Sequence, residues 1–190
     1  MTKTPVVDAH HHFWDPTRRD YYWMGGDELA SIRKPIGPED LRPLLVQNKV
    51  DRTVIVQTIP SVEETQEFLS IAANTDFVAG VVGWVDLTDP AVGDILAELK
   101  DGENGKWLVG IRHQVHDEAD PDWVARKDVI RGIKAVGAAG LAYDLLPKQA
   151  IIAGNVDRLF CFEKSECRTG CAASIADKLN AHFVEHLGWS

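Results

Sequence analysis

The stretch DRTVIVQTIPSVEETQEFLSIAANT (residues 51–75) joins a short apolar run to a helical pattern. Its first part, residues 51–58, is dominated by β-branched residues, and apolar and polar residues hardly alternate along it. This pattern is typical of a strand buried on both faces of a parallel sheet. Its second part begins at Ser61 and carries Glu64 three residues later, a capping-box pattern that predicts a helix start. The stretch therefore predicts one strand followed by one helix.

The same strand-then-helix unit recurs on both sides of this stretch. Further apolar runs predict strands at residues 5–10, 77–87, 108–116 and 140–146. Helical patterns lie between them at 37–49, 89–102 and 126–140. In the helix predicted over 89–102, Asp89 is the expected N-cap and Pro90 the expected first helical residue. The order β-α-β-α-β-α-β-α-β predicts an α/β protein with a parallel sheet, either a barrel or a doubly wound sheet.

Composition bounds the class of protein. The chain has 190 residues, of which 45% are hydrophobic, so one domain with an ordinary core is expected. Its net charge of −9 argues against nucleic acid or an anionic membrane as the main partner, because both require basic patches. No apolar run approaches the roughly 18–20 residues of a membrane span, and no signal peptide is recognised at the start. The three cysteines are not a disulfide framework, so we expect a cytoplasmic protein.

The end of the first predicted strand is unusually rich in histidine. In DAHHHFWD (residues 8–15), His10 and His12 share one face of the strand and His11 lies on the other. In a barrel both would point to the mouth, where active sites of such barrels lie, and two imidazoles so placed can share one divalent metal. Asp8, one step deeper, could support them. The alternative is a polar strand end before a turn.

The fourth predicted strand carries a second set of polar residues. Arg112 and Gln114 share one face, and His113 lies on the other. Arg112 could clamp a substrate carboxylate or polarise a carbonyl group, or it could form an ion pair with an Asp of a neighbouring strand. His113 and His116 are candidate substrate contacts, with structural hydrogen bonding as the alternative for each.

Other candidate substrate contacts lie near the ends of the remaining strands. Gln57 ends the second strand, Trp84 lies near the end of the third, and Asp144 lies on the fifth. Trp14 follows the histidines after Phe13. Trp84 is equally consistent with a core residue.

DAHHHFWD and the stretch GIRHQVHDEADPDWVARKDVIRGIKAVGAAGLAYDLL (residues 110–146) together resemble the amidohydrolase-related family. This branch of the metal-dependent hydrolases includes L-fuconolactonase and L-rhamnono-lactonase, and the resemblance covers roughly residues 5–149. It implies a (β/α)8 TIM barrel and hydrolysis of a sugar-acid lactone or a similar cyclic ester. It also implies that His10 and His12 hold a divalent metal, with zinc as first choice. The fifth strand lacks the histidine used elsewhere in the superfamily, so one metal at most, or metal-free catalysis, is expected.

The resemblance also sets an expectation for the C-terminal part. HFVEHLGW (residues 182–189) resembles the sixth strand of the family, so His186 is a candidate catalytic residue. The family's last strand brings an Asp that serves as general base, and no counterpart is recognised. We therefore expect an incomplete barrel of five to six strands, with barrel residues at 1–149 and a divergent Cys-containing tail at 150–190. Impaired activity is expected. A truncated or misassembled gene product, or a splice or frame variant with an altered tail, would explain the pattern first, and association with another chain, as in a homo-oligomer, is the third explanation.

Three alternatives stay open at this point. One is a metal-dependent decarboxylase, because that branch of the superfamily has a similar His-x-His start. The second is an inactive barrel fragment that binds a ligand or a partner protein. The third is a small zinc module in the tail, for which the four spaced candidates are Cys167, Cys171, His182 and His186.

Overall fold

The computed structural model describes residues 4–146, which contain a repeated strand–helix unit. The strands are β1 (Val7–His11), β2 (Arg52–Val56), β3 (Val78–Gly83), β4 (Leu108–His113) and β5 (Ala142–Leu145). The helices are α1 (Pro38–Asn48), α2 (Val62–Ala73), α3 (Val92–Asp101) and α4 (Lys127–Ala138). Short 3-10 turns occupy the longer loops, including Tyr22–Met24 after β1 and Val115–Asp117 after β4. The predicted tail, with His186 and the three cysteines, lies outside the described residues.

All four pairs of neighbouring strands are parallel, and their order in the sheet is β1-β2-β3-β4-β5. A doubly wound sheet reverses its strand order at a switch point, whereas a barrel keeps consecutive strands side by side. The observed order therefore selects the barrel from the two arrangements that the sequence allows. It also brings the C-terminal ends of all five strands to one edge.

The strands are apolar on both faces because both faces are covered. Ile55, Val81 and Ile111 belong to the large core cluster that also contains buried side chains of the helices. Val54, Val56 and Val82 alternate with these residues and form a smaller cluster on the opposite face. This two-sided burial explains why the strands read as continuous apolar runs in the sequence. None of the helices in residues 4–146 is long and apolar enough to cross a membrane.

The helix starts agree only in part with the sequence patterns. Ser61 caps α2 as predicted, since its side chain accepts a hydrogen bond from the backbone N–H of Glu64 at 3.0 Å. The predicted start of α3 is wrong, because the helix begins at Val92 rather than at Pro90. The carboxylate of Asp89 instead accepts a bond from Ala91 N at 2.7 Å, and this local turn delays the helix.

The packing of α4 against the chain after β3 gives a direct test of the fold. A Cβ atom added to the buried Gly132 would overlap the carbonyl group of Leu87, whereas one added to Gly137 on the same helix would meet open space. We expect Gly132→Ala to lower the free energy of unfolding by about 1–3 kcal/mol. Gly137→Ala should raise it by about 0.5–1 kcal/mol, because alanine favours helix. Urea unfolding of both variants checks this packing, and equal effects would contradict it.

Candidate active site

His10 and His12 converge at the C-terminal end of β1. Their Nε2 atoms lie 3.1 Å apart, and the two rings meet edge to face. His12 is fixed by its Nδ1–H, which donates to the carbonyl oxygen of Val56 at 2.8 Å. His11 lies on the other face, with its Nε2 atom 2.9 Å from Thr53 Oγ1. The strand geometry thus brings together the two imidazoles that the sequence paired.

Arg112 reaches this histidine pair from β4. Its Nη1–H donates to His10 Nε2 at 3.0 Å, and its Nη2–H donates to the carbonyl oxygen of Gln57. The side chain is buried, and it makes no ion pair with any of the residues that the structure describes. Asp144 is its register partner on β5, and the carboxylate there opposes the lowering of the Arg112 pKa that burial causes.

The hydrogen bonds leave the Nε2 lone pair of His12 without a donor. Burial, with a smaller contribution from the nearby guanidinium of Arg112, lowers the pKa of His12 to about 4, so this ring is neutral near pH 7. Burial and Arg112 also lower the pKa of His10. Because His12 donates from Nδ1, its Nε2 atom carries a lone pair, and His10 Nε2 has no hydrogen to donate to it while it accepts from Arg112. A cation held by both Nε2 atoms would replace the Arg112 N–H at His10.

The donor set fits two positions of a metal site. Two nitrogen ligands on one tetrahedral zinc ion would be about 3.3 Å apart, given Zn–N bonds of about 2.0–2.1 Å. The 3.1 Å between the Nε2 atoms of His10 and His12 is close to this value. Within residues 4–146, however, no group of three or more His, Cys, Asp and Glu side chains could hold a metal ion.

A buried polar network supports Arg112 from below. The side-chain amide of Gln57 donates to Gln114 Oε1 at 2.8 Å and to the carbonyl oxygen of Arg112 at 3.3 Å. Gln114 in turn donates from Nε2 to the carbonyl oxygen of Thr58 at 3.1 Å. Gln57 is fully buried, so it lies beneath the site and supports Arg112 and Gln114, which face the cavity.

His10, His12, Arg112 and Gln114 form the floor of a cavity of about 380 Å³ at the C-terminal edge of the sheet. One wall comes from the loop after β1 and the other from the turn after β4. The two walls meet where the hydroxyl of Tyr22 donates to Asp117 Oδ2 at 2.8 Å. The lining consists of His10, His12, Tyr22, Trp23, Thr58, Arg112, Gln114, His116, Asp117 and Leu146.

Two of the predicted substrate contacts bind each other instead of lining this cavity. Trp84 Nε1–H donates to His113 Nδ1 at 3.1 Å, and His113 Nε2–H donates to Glu118 Oε1 at 2.7 Å. The His113 ring also stacks on Trp123 with 4.1 Å between ring centroids. Neither ring nitrogen of His113 is left for a substrate, which agrees with the structural alternative.

The other predicted residues occupy supporting positions or the cavity itself. Trp14 donates from Nε1 to Ile32 O at 2.9 Å and packs edge to face on Trp23, so it lies behind the aromatic wall. Asp144 lies beside Arg112 outside the cavity lining, whereas His116 lies in the lining, where a substrate contact is possible. His186 lies outside the described residues.

The sequence marks Tyr22 and Trp23 only as members of the long, aromatic-rich loop at 15–36, and a long loop after the first strand is often functional. It assigns no role to Thr58, Asp117 or Leu146. Thr58 and Asp117 lie in the connections that follow strands β2 and β4, so the general position of active sites at such strand ends could have found them.

Comparisons with known proteins agree with this geometry. The family model described as "Amidohydrolase" matches residues 7–182. An L-fucono-1,5-lactonase from Burkholderia ambifaria is 43% identical over 141 residues, which cover 74% of this chain and 47% of that protein. An L-fucono-1,5-lactonase from Burkholderia multivorans is 33% identical, with 74% of this chain and 46% of that protein covered. The chain spans about half the length of these relatives.

A solved structure supports the same assignment. The crystal structure of an amidohydrolase from Burkholderia multivorans with bound Zn matches with a TM-score of 0.71 and 31% identity. The match covers 78% of this chain and 51% of that one. The five parallel strands therefore correspond to a half-barrel of the amidohydrolase fold. Because the family model covers most of the sequence and the strand order and cavity agree with it, the chain belongs to the amidohydrolase family.

Proposed function

We propose that this protein is a hydrolase that opens a sugar-acid lactone, and that L-fucono-1,5-lactone is the first substrate to test. The observation that carries the proposal is the convergence of His10, His12 and Arg112 on the floor of one cavity. The relative from Burkholderia ambifaria, named L-fucono-1,5-lactonase, supports the choice of substrate class. Because the chain spans about half of that relative, the activity of this chain is a question for experiment.

Arg112 has the chemistry to stabilise the reaction. Attack of water on a lactone carbonyl places negative charge on the carbonyl oxygen, and a fixed cationic donor in a buried site stabilises that charge. The guanidinium is anchored through Nη2 to Gln57, while Nη1 is directed to His10 at the cavity floor. An oxyanion at this position would receive a hydrogen bond from Arg112 without any movement of the backbone.

The walls of the cavity suit a sugar ring. Tyr22 and Trp23 present aromatic surface to the cavity, which matches the C–H face of a pyranose. His116 and Asp117 on the opposite wall can exchange hydrogen bonds with ring hydroxyl groups. The volume of about 380 Å³ lies in the range of small-molecule sites.

A divalent ion, zinc as first choice, would be held by His10 and His12. When bound, it would polarise the lactone carbonyl or acidify a water molecule. The neutral state of both imidazoles near pH 7 favours such binding, since a metal ligand must have a free lone pair. Metal-free catalysis, in which Arg112 alone stabilises the oxyanion, stays open.

The rival functions are separated by assay. The decarboxylase alternative is not better supported, because both relatives described above are named L-fucono-1,5-lactonase. The inactive-fragment alternative becomes the conclusion if the chain binds a lactone and does not open it. A cytoplasmic location and the absence of nucleic-acid and membrane partners stay predictions from composition, and a homo-oligomeric state stays a prediction from the incomplete barrel.

We expect the purified chain to hydrolyse L-fucono-1,5-lactone, with acid release followed by a pH indicator. Arg112→Ala should lower kcat/KM by about 10²–10³-fold, because it removes a donor to the oxyanion. Arg42→Ala, which removes exposed ion pairs on α1, is the matched control and should leave the rate unchanged. An Arg112→Ala variant as active as the wild type would exclude this role for the guanidinium.

We expect purified protein to hold about one equivalent of metal per chain, measured by elemental analysis. The double substitution His10→Ala, His12→Ala should remove it, because the two Nε2 atoms would be its ligands. Cys167→Ser with Cys171→Ser should leave the metal content unchanged. The reverse pattern would place the metal in the tail module, and metal-free active protein would favour catalysis by Arg112 alone.

The hydrogen bond between the two walls predicts an effect on substrate affinity. Tyr22→Phe removes the donor to Asp117 and should raise KM by about fivefold, with kcat within about twofold, because the wall binds substrate and transition state alike. Tyr21→Phe is the matched control, since Tyr21 is buried and outside this cavity. A fall in kcat at constant KM would contradict a binding role.

A further inference from the structure

Glu64 is a fully buried acidic residue whose side chain takes no part in the cavity lining. The capping-box pattern assigns its carboxylate to the N–H of Ser61, but that N–H donates to the carbonyl oxygen of Ile59 at 2.9 Å. Glu64 Oε2 instead accepts two backbone N–H groups, from Thr58 at 2.8 Å and from Ile59 at 3.1 Å. Glu64 Oε1 accepts the hydroxyl of Thr58. A carboxylate buried this deeply is stable only with such partners.

The two N–H groups belong to the two peptide groups that support the active site. A trans peptide group is planar, and its N–H and C=O point in opposite directions. The N–H of Thr58 shares a plane with the carbonyl of Gln57, which accepts from Arg112 Nη2. The N–H of Ile59 shares a plane with the carbonyl of Thr58, which accepts from Gln114 Nε2. Glu64 therefore binds the N–H end of two peptide groups. The C=O ends of the same two groups bind Arg112 and Gln114 of the cavity floor.

We propose that Glu64 is a positioning residue that aims Arg112 and Gln114 through these two peptide groups. The inference rests on the proposed lactone hydrolysis for its effect on rate, and on the contacts alone for its effect on geometry. With the carboxylate in place, both peptide planes are fixed at the end of β2. Without it, each plane can rotate, and the guanidinium of Arg112 loses its fixed acceptor.

Two conservative variants separate geometry from charge. Glu64→Gln removes the charge but can keep every contact, with its amide oxygen toward the two N–H groups and its NH2 group toward Thr58 Oγ1. Glu64→Asp keeps the charge but is one methylene shorter and draws the carboxylate away from the N–H groups. A positioning role predicts that the aspartate variant is the more damaged one, whereas a charge effect predicts the opposite.

The test measures lactone hydrolysis by the full chain. We expect Glu64→Asp to lower kcat by about tenfold or more with KM within about threefold, because the aim of Arg112 matters most in the transition state. Glu64→Gln should stay within about threefold of the wild type. In an Arg112→Lys background, Glu64→Asp should cost less than about threefold, because the group that it aims is already lost. Glu63→Asp, on the exposed face of the same helical turn, is the matched control.

A tenfold loss of kcat in Glu64→Gln would overturn the proposal. This variant decides the question by itself if Glu64→Asp does not fold. The proposal would also be overturned if Glu64→Asp cost the same factor in both Arg112 backgrounds. A second measurement does not depend on activity: the side-chain NMR signals of Arg112 Nε–H and the Gln114 amide should shift in Glu64→Asp and not in Glu63→Asp. If the wild type opens no lactone while these signals shift as expected, the proposed function fails and the positioning role stands. Unshifted signals overturn the positioning role.

Discussion

Arg112 lies in a buried position because the carbonyl oxygen of Gln57 accepts one of its N–H groups, and the rest of the site depends on that bond. A guanidinium carries a permanent charge, which is costly to bury without an acceptor. A backbone carbonyl supplies the acceptor without adding a second charge, so the positive charge of Arg112 is not neutralised by an ion pair within the described residues. Burial, and after it this charge, lowers the pKa of the neighbouring His10 imidazole, and the charge remains available to a substrate oxygen.

The parallel strand order makes this bond possible. Gln57 follows β2 and Arg112 lies near the end of β4. The parallel direction brings both positions to one edge, and the consecutive order leaves only β3 between them. The alternation of side chains along β4 then divides its polar residues by function. Arg112 and Gln114 face the cavity, while His113 is enclosed by Trp84, Glu118 and Trp123 on the other side. One strand thus provides both the cavity floor and a rigid aromatic support behind it.

The sequence was sufficient for the features that depend on local period. The apolar runs located all five strands, and the two-residue period paired His10 with His12 and separated Arg112 from His113. It was insufficient where a side chain has a choice of partners, whether these lie near it or far from it in the chain. Glu64 fits a capping box in sequence, but its carboxylate binds Thr58 and Ile59. Trp84 donates to His113 instead of lining the cavity. Tyr22 and Asp117 are 95 positions apart, so no local pattern could have joined them.

The contacts of Glu64 also bear on how this protein can change over time. Thr58 and Glu64 are only six positions apart, and the carboxylate reaches back across the whole connection between β2 and α2. An inserted or deleted residue in that connection would separate the carboxylate from its partners, so its length is restricted. The connection between β1 and α1 supplies Tyr22 and Trp23 to the cavity wall, and neither of these side chains contacts Glu64 or its two peptide groups in the contacts described above. Substitutions at these two positions would reshape the wall while the contacts of Glu64, Arg112 and Gln114 stay in place, so the range of accepted substrates can evolve there without a change in that part of the floor.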